Sequence, residues 1–450
     1  MTEQNTPSTD SRLQELEAPV RRALERASAL GASAAEAGVT AETGLSTTVR
    51  LGEVETLEYH RDRGIVVTVY FGQCKGSASS ADTSMDAIDE AVAKACSIAR
   101  HTAEDDCAGL APAERMATRL PDLDLLHPWS LSPDDMIELA TRCEASALAV
   151  DSRIDNSEGA TLSSHERRRV YGNSHGLVAG YPSSYHSVSC SVIARDDSGM
   201  QRDYWYSAAR DPADLKSAES IGQTAGERTV RRLGARKLST RTAPVLFPPN
   251  LARGLIGHFL GAIQGGAQYR RTSFLLDAAG QQVFPSFVSI CERPLIPKGV
   301  GSAAMDSEGV ATANRDLLQD GVLAGYILGS YSARKLGLET TGNAGGVHNI
   351  LVNGRAGADQ ASLMGDMGTG FLVTELIGQG VNPTTGDYSR GAAGYWIENG
   401  EVAYPVHEIT IAGNLIDMYM NLVAIGEDAD VQSNVRCGSI LLESMTIAGN

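Results

Sequence analysis

The spacing of apolar residues predicts a helix near the start of the chain, over residues 13–30. Its apolar positions recur every three or four residues, which is the period of an amphipathic helix. They are Leu13, Leu16, Val20, Leu24 and Ala27. Pro19 is either the first helical residue or a kink. The first twelve residues are mostly polar and are predicted to form a disordered tail.

A strand-rich region follows the first helix. Alternating segments run through residues 46–80 and are divided at Gly52-Glu53 and at Asp62-Arg63-Gly64, which predicts a meander of antiparallel strands. A second helix is predicted over residues 84–100, and residues 103–130 read as a loop.

The same order then recurs. Ser132 as N-cap, Pro133 at the first helical position and acids in the first turn predict a helix start. Strands are predicted over residues 154–208 and a helix over 214–233. The recurrence is either a structural repeat or a common α+β layout, and the second is favoured because the units do not align residue by residue.

The pattern therefore predicts an α+β fold with two helix/antiparallel-sheet lobes and a β-rich, glycine-rich C-terminal domain. The predicted boundaries are 13–102 and 122–235 for the lobes and 240–450 for the last domain. In that domain Asn399-Gly400 separates two strand-like segments and predicts a hairpin.

Charge and cysteine usage restrict the class of protein. The formal net charge of −17 and the absence of a basic footprint exclude nucleic acid as a partner. Seven cysteines without a CxxC motif predict free thiols in a reducing compartment. They are Cys74, Cys96, Cys107, Cys143, Cys190, Cys291 and Cys437. With no signal peptide and no apolar run long enough to cross a membrane, we expect a soluble cytoplasmic protein.

The segment GLIGHFLGAIQGG, residues 254–266, combines a glycine stripe with one histidine. Read as a helix, it places Gly254, Gly257, Gly261 and Gly265 along one face. Each interior glycine costs about 0.5–1 kcal/mol relative to alanine, so we expect another backbone to approach this face closely. No second metal ligand lies at helical spacing from His258, which favours a packed or hydrogen-bonded histidine at an interface.

Two other patterns resemble catalytic motifs. The GNSHG stretch at 172–176 matches GxSxG, but strand-like residues flank it on both sides, so a hairpin turn with positive φ at Asn173 and the glycines is favoured over a nucleophilic Ser174. The pairs His165-Glu166 and His407-Glu408 lack the second histidine of a zinc-binding helix.

The C-terminal region closely resembles the TldD/PmbA family, in its PmbA (TldE) branch. The resemblance is carried by MDSEGVATANRDLLQDGVLAGYILGSYSARKLGLETTGNAGGVHN, by MGTGFLVTELIGQGVNPTTGDYSRGAAGYWIENGEVAYPVHEITIAGNL and by CGSILLESMTIAGN. It covers most of the chain, from about residue 30 to the end.

The resemblance implies that this chain lacks the zinc ligands of the TldD branch. The TldD branch carries HExxxH on the helix that opens the C-terminal domain, and a late cysteine completes the site. When this helix is matched to residues 254–266, Gly257 and Ala262 replace the two histidines, and His258 replaces the glutamate. Cys437 matches the third ligand. A single soft ligand without imidazoles will not hold zinc usefully, so no catalytic residue and no cofactor are expected in this chain.

The function implied is that of the zinc-free subunit of a TldD/TldE-type metallopeptidase, which degrades unfolded or small peptides. Zinc is expected in a TldD-like partner, and this chain would close the chamber and help to bind extended peptide, for example by strand addition. The alternative is a homodimeric peptide-binding or scaffold protein without a peptidase role, and a homodimer is also possible when the chain is isolated. A self-sufficient hydrolase that uses Ser174 or an unrecognised metal site is a third hypothesis.

Overall fold

The computed structural model describes residues 11–449, so most of the predicted tail lies outside the described residues. Ser11 and Arg12 open the first helix, which is longer than predicted, and Pro19 lies inside it rather than at its start. The helices are α1 (Ser11–Ala29), α2 (Met85–His101), α3 (Pro133–Leu148), α4 (Ala218–Arg231), α5 (Pro249–Ala262), α6 (Gly265–Tyr269), α7 (Ser330–Leu336), α8 (Gln360–Met367) and α9 (Leu415–Met420).

Strands make up most of the remaining regular structure. They are β1 (Ala34–Arg50), β2 (Glu53–Phe71), β3 (Cys74–Ser80), β4 (Ile154–Asn173), β5 (Val178–Asp196), β6 (Gly199–Ala209), β7 (Arg241–Phe247), β8 (Ile290–Glu292), β9 (Arg315–Gln319), β10 (Val322–Leu323), β11 (Ile350–Val352), β12 (Gly370–Ile377), β13 (Asp387–Glu398), β14 (Glu401–Asn414), β15 (Leu422–Ile425), β16 (Val435–Arg436) and β17 (Ile440–Ala448).

The predicted break at Asp62-Arg63-Gly64 is wrong, because β2 runs through it without interruption. Arg63 pairs with Ala41 and Gly64 with Thr40 on β1, so cross-strand pairing overrides the local turn tendency. The second turn of the meander lies between β2 and β3 instead, where Gly72 has a φ of 61°.

The first half of the molecule is built on one antiparallel sheet of order β3-β2-β1-β4-β5-β6. Helices α1 and α2 cover one half of a sheet face, and α3 and α4 cover the other half. Both lobes have the order helix, three strands, helix, and their first strands β1 and β4 pair antiparallel. This arrangement favours the structural repeat over the common layout that the sequence favoured.

Helix α3 begins as predicted and anchors the neighbouring lobe. Ser132 caps it, with Asp135 completing a capping box. The buried carboxylate of Glu144 accepts hydrogen bonds from the backbone N–H groups of Leu51 and Gly52, each at 2.9 Å. Helix α3 of the second lobe therefore holds the β1–β2 turn of the first.

The C-terminal domain is rich in strands, as predicted. A sheet of order β14-β13-β12-β7-β17-β15 curls until β14 also pairs with β17, which closes it into a barrel, and a smaller sheet has the order β10-β9-β8-β11-β16. The predicted hairpin is confirmed: Asn399 and Gly400 join β13 to β14 with φ values of 53° and 79°.

Two further features of the described chain bear on its class. No cysteine of the seven forms a disulfide. Within residues 11–449 no helix combines the length and the apolar character that crossing a bilayer requires.

Candidate functional site

The glycine-bearing segment forms α5, which starts at Pro249, earlier than residue 254, and ends at Ala262. Its buried side packs into the main core of the C-terminal domain through Leu255, Ile256 and Phe259. Residues 265–269 form the separate short helix α6.

The opposite side of α5 is an exposed glycine face formed by Gly254, Gly257 and Gly261. A Cβ atom placed on any of the three would meet nothing within 4 Å. The expected close approach of another backbone is therefore wrong for these three positions within the chain. Gly265 alone of the stripe is crowded, since its Cβ would lie 2.5 Å from Ser332 Oγ.

His258 lies at the edge of the glycine face and is half-buried. Its ring packs edge-on against Tyr388, with the ring centroids 6.1 Å apart. Burial, together with the positive charge of Arg390, lowers the pKa of His258. An imidazole packed edge-on against an aromatic ring agrees with the structural interpretation of this histidine.

Cys437 is fully buried in the same core. Its Sγ donates a hydrogen bond to Gly438 O at 3.3 Å. Burial first, and the nearby carboxylate of Asp428 second, raise the pKa of this thiol. Because the thiolate is the form that binds metals, these surroundings disfavour zinc ligation.

The four positions that the resemblance matches to a zinc site do not form a zinc-binding donor set. Gly257 is exposed while Ala262 is buried, and neither has a side chain that can coordinate a metal. In the part of the chain that the structure describes, no three His, Cys, Asp or Glu side chains lie close enough together to hold a metal ion. The residues present do not fit zinc.

The other motif-like residues occupy structural positions. Ser174 lies in the turn between β4 and β5, and its Oγ accepts a hydrogen bond from Ala35 N at 3.0 Å. Gly176, with a φ of 93°, supplies the positive φ of that turn, whereas Asn173 and Gly172 do not. The two His-Glu pairs lie on strands β4 and β14, not on helices.

Sequence reasoning missed a buried charge network in the small sheet. Glu292, which is 1% exposed, accepts hydrogen bonds from His348 Nδ1 at 3.0 Å and from Arg315 Nε at 2.9 Å. Burial opposes ionisation of Glu292, but the hydrogen bonds from His348 and Arg315 prevail and lower its pKa to about 2. These residues lie up to 56 positions apart, so only the fold brings them together.

A second group missed from the sequence lies where the two halves of the molecule meet. Arg228 on α4, Trp205 on β6 and Asp430, which precedes β16, line one cleft together with the start of α5. Neither periodicity nor a known motif connects residues so distant in the chain.

Family models of the PmbA/TldA metallopeptidases match most of the described chain. The model of domain 1 matches residues 35–99, that of the central domain 126–233, and that of the C-terminal domain 240–449. The Metalloprotease PmbA of Escherichia coli O157:H7 is 51% identical over 434 residues, which are 96% of each chain. The Metalloprotease PmbA homolog of Haemophilus influenzae is 47% identical over 448 residues, covering 100% of this chain and 99% of that protein.

Solved structures agree with the fold. A crystal structure of a protein from Bacteroides thetaiotaomicron superposes with a TM-score of 0.92 at 28% identity, covering 97% of this chain and 99% of that one. TldE from Thermococcus kodakarensis has a TM-score of 0.84 at 20% identity, covering 96% of this chain and 100% of that one, and supports the fold alone. The chain therefore belongs to the TldD/PmbA family of metallopeptidases, in its PmbA (TldE) branch.

Proposed function

We propose that this chain is the zinc-free subunit of a two-subunit TldD/TldE-type peptidase and that it hydrolyses no peptide by itself. The observation that carries the proposal is the composition of α5 and its surroundings. Gly257 and Ala262 offer no imidazole, and Cys437 is held as a buried thiol beside Asp428.

The partner in this proposal is a TldD-like subunit that carries the zinc ion. A TldD homolog from Buchnera aphidicola is 22% identical to this chain over 431 residues, which supports a shared architecture of the two kinds of subunit. The glycine face of α5 would then line the chamber on the side of this chain. It leaves room for the backbone of an extended peptide, because no side chain projects from Gly254, Gly257 or Gly261.

The substrates proposed are unfolded or small peptides, bound mainly through their backbones. The half of β2 from Glu53 to Gly64 lies beyond the pairing with β3, which begins at Ile65, so a sheet edge is open to strand addition. None of the seven cysteines forms a disulfide, which agrees with a proposed cytoplasmic location.

Reconstitution tests the proposal. The chain and a TldD-like partner from the same cell are purified separately, and the zinc content and the hydrolysis of an unfolded polypeptide are measured for each and for the mixture. We expect zinc in the partner alone and chelator-sensitive hydrolysis in the mixture alone. Stoichiometric zinc and robust hydrolysis in this chain by itself would contradict the proposal.

A homodimeric binding or scaffold protein is the second candidate, because the open glycine face could equally pack against a second copy. Affinity purification of the chain from its native cell distinguishes this candidate from the proposed zinc-free subunit. A scaffold would be recovered as a homodimer without a zinc-bearing paralogue, whereas the proposed subunit would bring down the paralogue in equal amount.

A further inference from the structure

A cleft of about 350 Å³ separates the first half of the molecule from the C-terminal domain. One wall comes from α4 and β6, and the other from β12, β13 and the segment before β16. Pro248, Pro249 and Asn250, at the start of α5, close one end. The cleft is distinct from the positions that correspond to the family's zinc site, none of which lines it.

The α4 wall of the cleft carries two guanidinium groups, those of Arg228 and Arg231. The guanidinium of Arg228 lies 4.8 Å from the ring centroid of Trp205 and 3.2 Å from Asp203, and its side chain is 24% exposed. Arg231 is exposed, and no ion pair with a carboxylate of the described chain involves it. This wall can therefore accept another anionic group.

The carboxylates of the facing wall are already engaged. Asp428 accepts hydrogen bonds from Ser439 N and Ser439 Oγ, both at 2.8 Å, and from Gln360 N at 3.0 Å. Asp430 accepts a hydrogen bond from Tyr206 at 3.3 Å and lies 3.6 Å from the guanidinium of Arg253. These acidic groups have partners within the protein, whereas Arg231 forms no ion pair with a carboxylate of the described chain.

Helix α5 connects the cleft with the glycine face. Asn250, Gly254, Gly257 and Gly261 follow one another at intervals of four, three and four residues, so they lie along one side of the helix. Asn250 lines the cleft, and the three glycines form the exposed face beyond it. The start of α5 is also the positive end of its dipole, which favours an anion at the cleft over a cation.

We propose that this cleft binds the terminal carboxylate of an extended peptide whose preceding residues cross the glycine face of α5. The proposal rests on the proposed role in peptide degradation and adds an orientation: the C-terminus of the peptide points to the start of α5. Arg228 and Arg231 bind the carboxylate, and Trp205, Leu372 and Tyr395 provide the surfaces that contact the last side chain.

Binding of one peptide in two forms tests the inference. The probe is an N-terminally fluorescein-labelled hexapeptide of alanine and phenylalanine, prepared with a free C-terminal carboxylate or with a C-terminal amide. Fluorescence anisotropy with the full chain should show about tenfold tighter binding of the free acid, because the amide removes a charge-assisted contact. Arg231→Gln should reduce this preference to less than about threefold.

Arg119→Gln is the matched control, since Arg119 is an exposed arginine of the 103–130 segment outside the cleft, and it should preserve the preference. Arg231 is exposed, so its replacement should not affect folding, which a thermal melt verifies. Equal binding of acid and amide, or an unchanged preference in Arg231→Gln, would overturn the carboxylate site while leaving the peptide role intact. Inorganic phosphate is also tested as a competitor of the labelled free-acid peptide. If phosphate displaces this peptide at the concentration at which unlabelled peptide does, the cleft is a general anion site and the carboxylate site is overturned. Failure of both forms to bind would overturn the inference and the peptide-binding role together.

Discussion

His348 and Glu292 form a buried pair in which the histidine donates to the carboxylate twice, from Nδ1 at 3.0 Å and from its backbone N–H at 2.7 Å. Arg315 occupies the other carboxylate oxygen at 2.9 Å. The carboxylate joins strand β8 to β9 and to the segment before β11, and so it links the elements of the small sheet next to the barrel.

Because of this pair, the free energy of unfolding should decrease as the pH falls into the acid range. The pKa of Glu292 is about 2 in the folded protein and about 4.3 in an unfolded chain, so its contribution is complete above about pH 4.5 and is lost as pH falls towards 2. Glu292→Gln should lower the unfolding temperature at pH 7, since breaking a buried pair costs about 3–5 kcal/mol. Between pH 4.5 and 2 the unfolding temperature of the variant should fall less steeply than that of the wild-type chain. Calorimetry at several pH values measures this difference. Glu104→Gln, at an exposed position, is the control. If the stability of Glu292→Gln depended on acid pH as strongly as that of the wild-type chain, this account would be contradicted.

The contact of Glu144 with the β1–β2 turn predicts coupling between the two N-terminal lobes. In Glu144→Gln one of the two backbone N–H groups, of Leu51 or Gly52, loses its charged acceptor while it stays near the buried side chain. We expect a loss of about 1–3 kcal/mol in stability and faster amide exchange at residues 51 and 52. Glu138→Gln on the same helix removes an exposed 3.5 Å ion pair and should change little. Unchanged exchange at the turn in Glu144→Gln would show that the contact does not hold it.

The open glycine face predicts a conflict between stability and assembly. Gly257→Ala adds a methyl group that meets nothing within 4 Å, so it should stabilise the isolated chain by about 0.5–1 kcal/mol. If the face receives a peptide or partner backbone, the same variant should weaken hydrolysis by the reconstituted complex. Gly265→Ala is the contrasting variant and should destabilise the chain, because its Cβ would lie 2.5 Å from Ser332 Oγ. A Gly257→Ala chain that is more stable and fully active would argue against the role of the face.

The burial of Cys437 indicates that its thiol contributes to stability and not to peptide hydrolysis. Cys437→Ala should cost about 1 kcal/mol of stability through lost burial of the thiol, but it should leave hydrolysis by the reconstituted complex unchanged. Cys190→Ala, at another buried thiol, should have a similar effect on the melting temperature. Loss of zinc or of activity specific to Cys437→Ala would show that this thiol takes part in the metal site after all.

The sequence was enough to predict the lobe helices, the start of α3 at its N-cap Ser132, the Asn399-Gly400 hairpin and the α+β class. Each depends on interactions between residues a few positions apart, such as the cap from Ser132 to Asp135. The family could be read as well, because its motifs are continuous segments. The uninterrupted course of β2 through Gly64 could not, since pairing with β1 decided it against a local turn signal.

Only the tertiary structure decided what depends on residues distant in the chain. It joined the lobes through β1 and β4, placed Glu292 beside His348, and brought Arg228, Trp205 and Asp430 into one cleft. It also showed that Gly254, Gly257 and Gly261 face open space, which the helical spacing of the glycines left undetermined. Local sequence determines which helix and strand form, whereas the surroundings of a side chain depend on chain segments that pack around it only after folding.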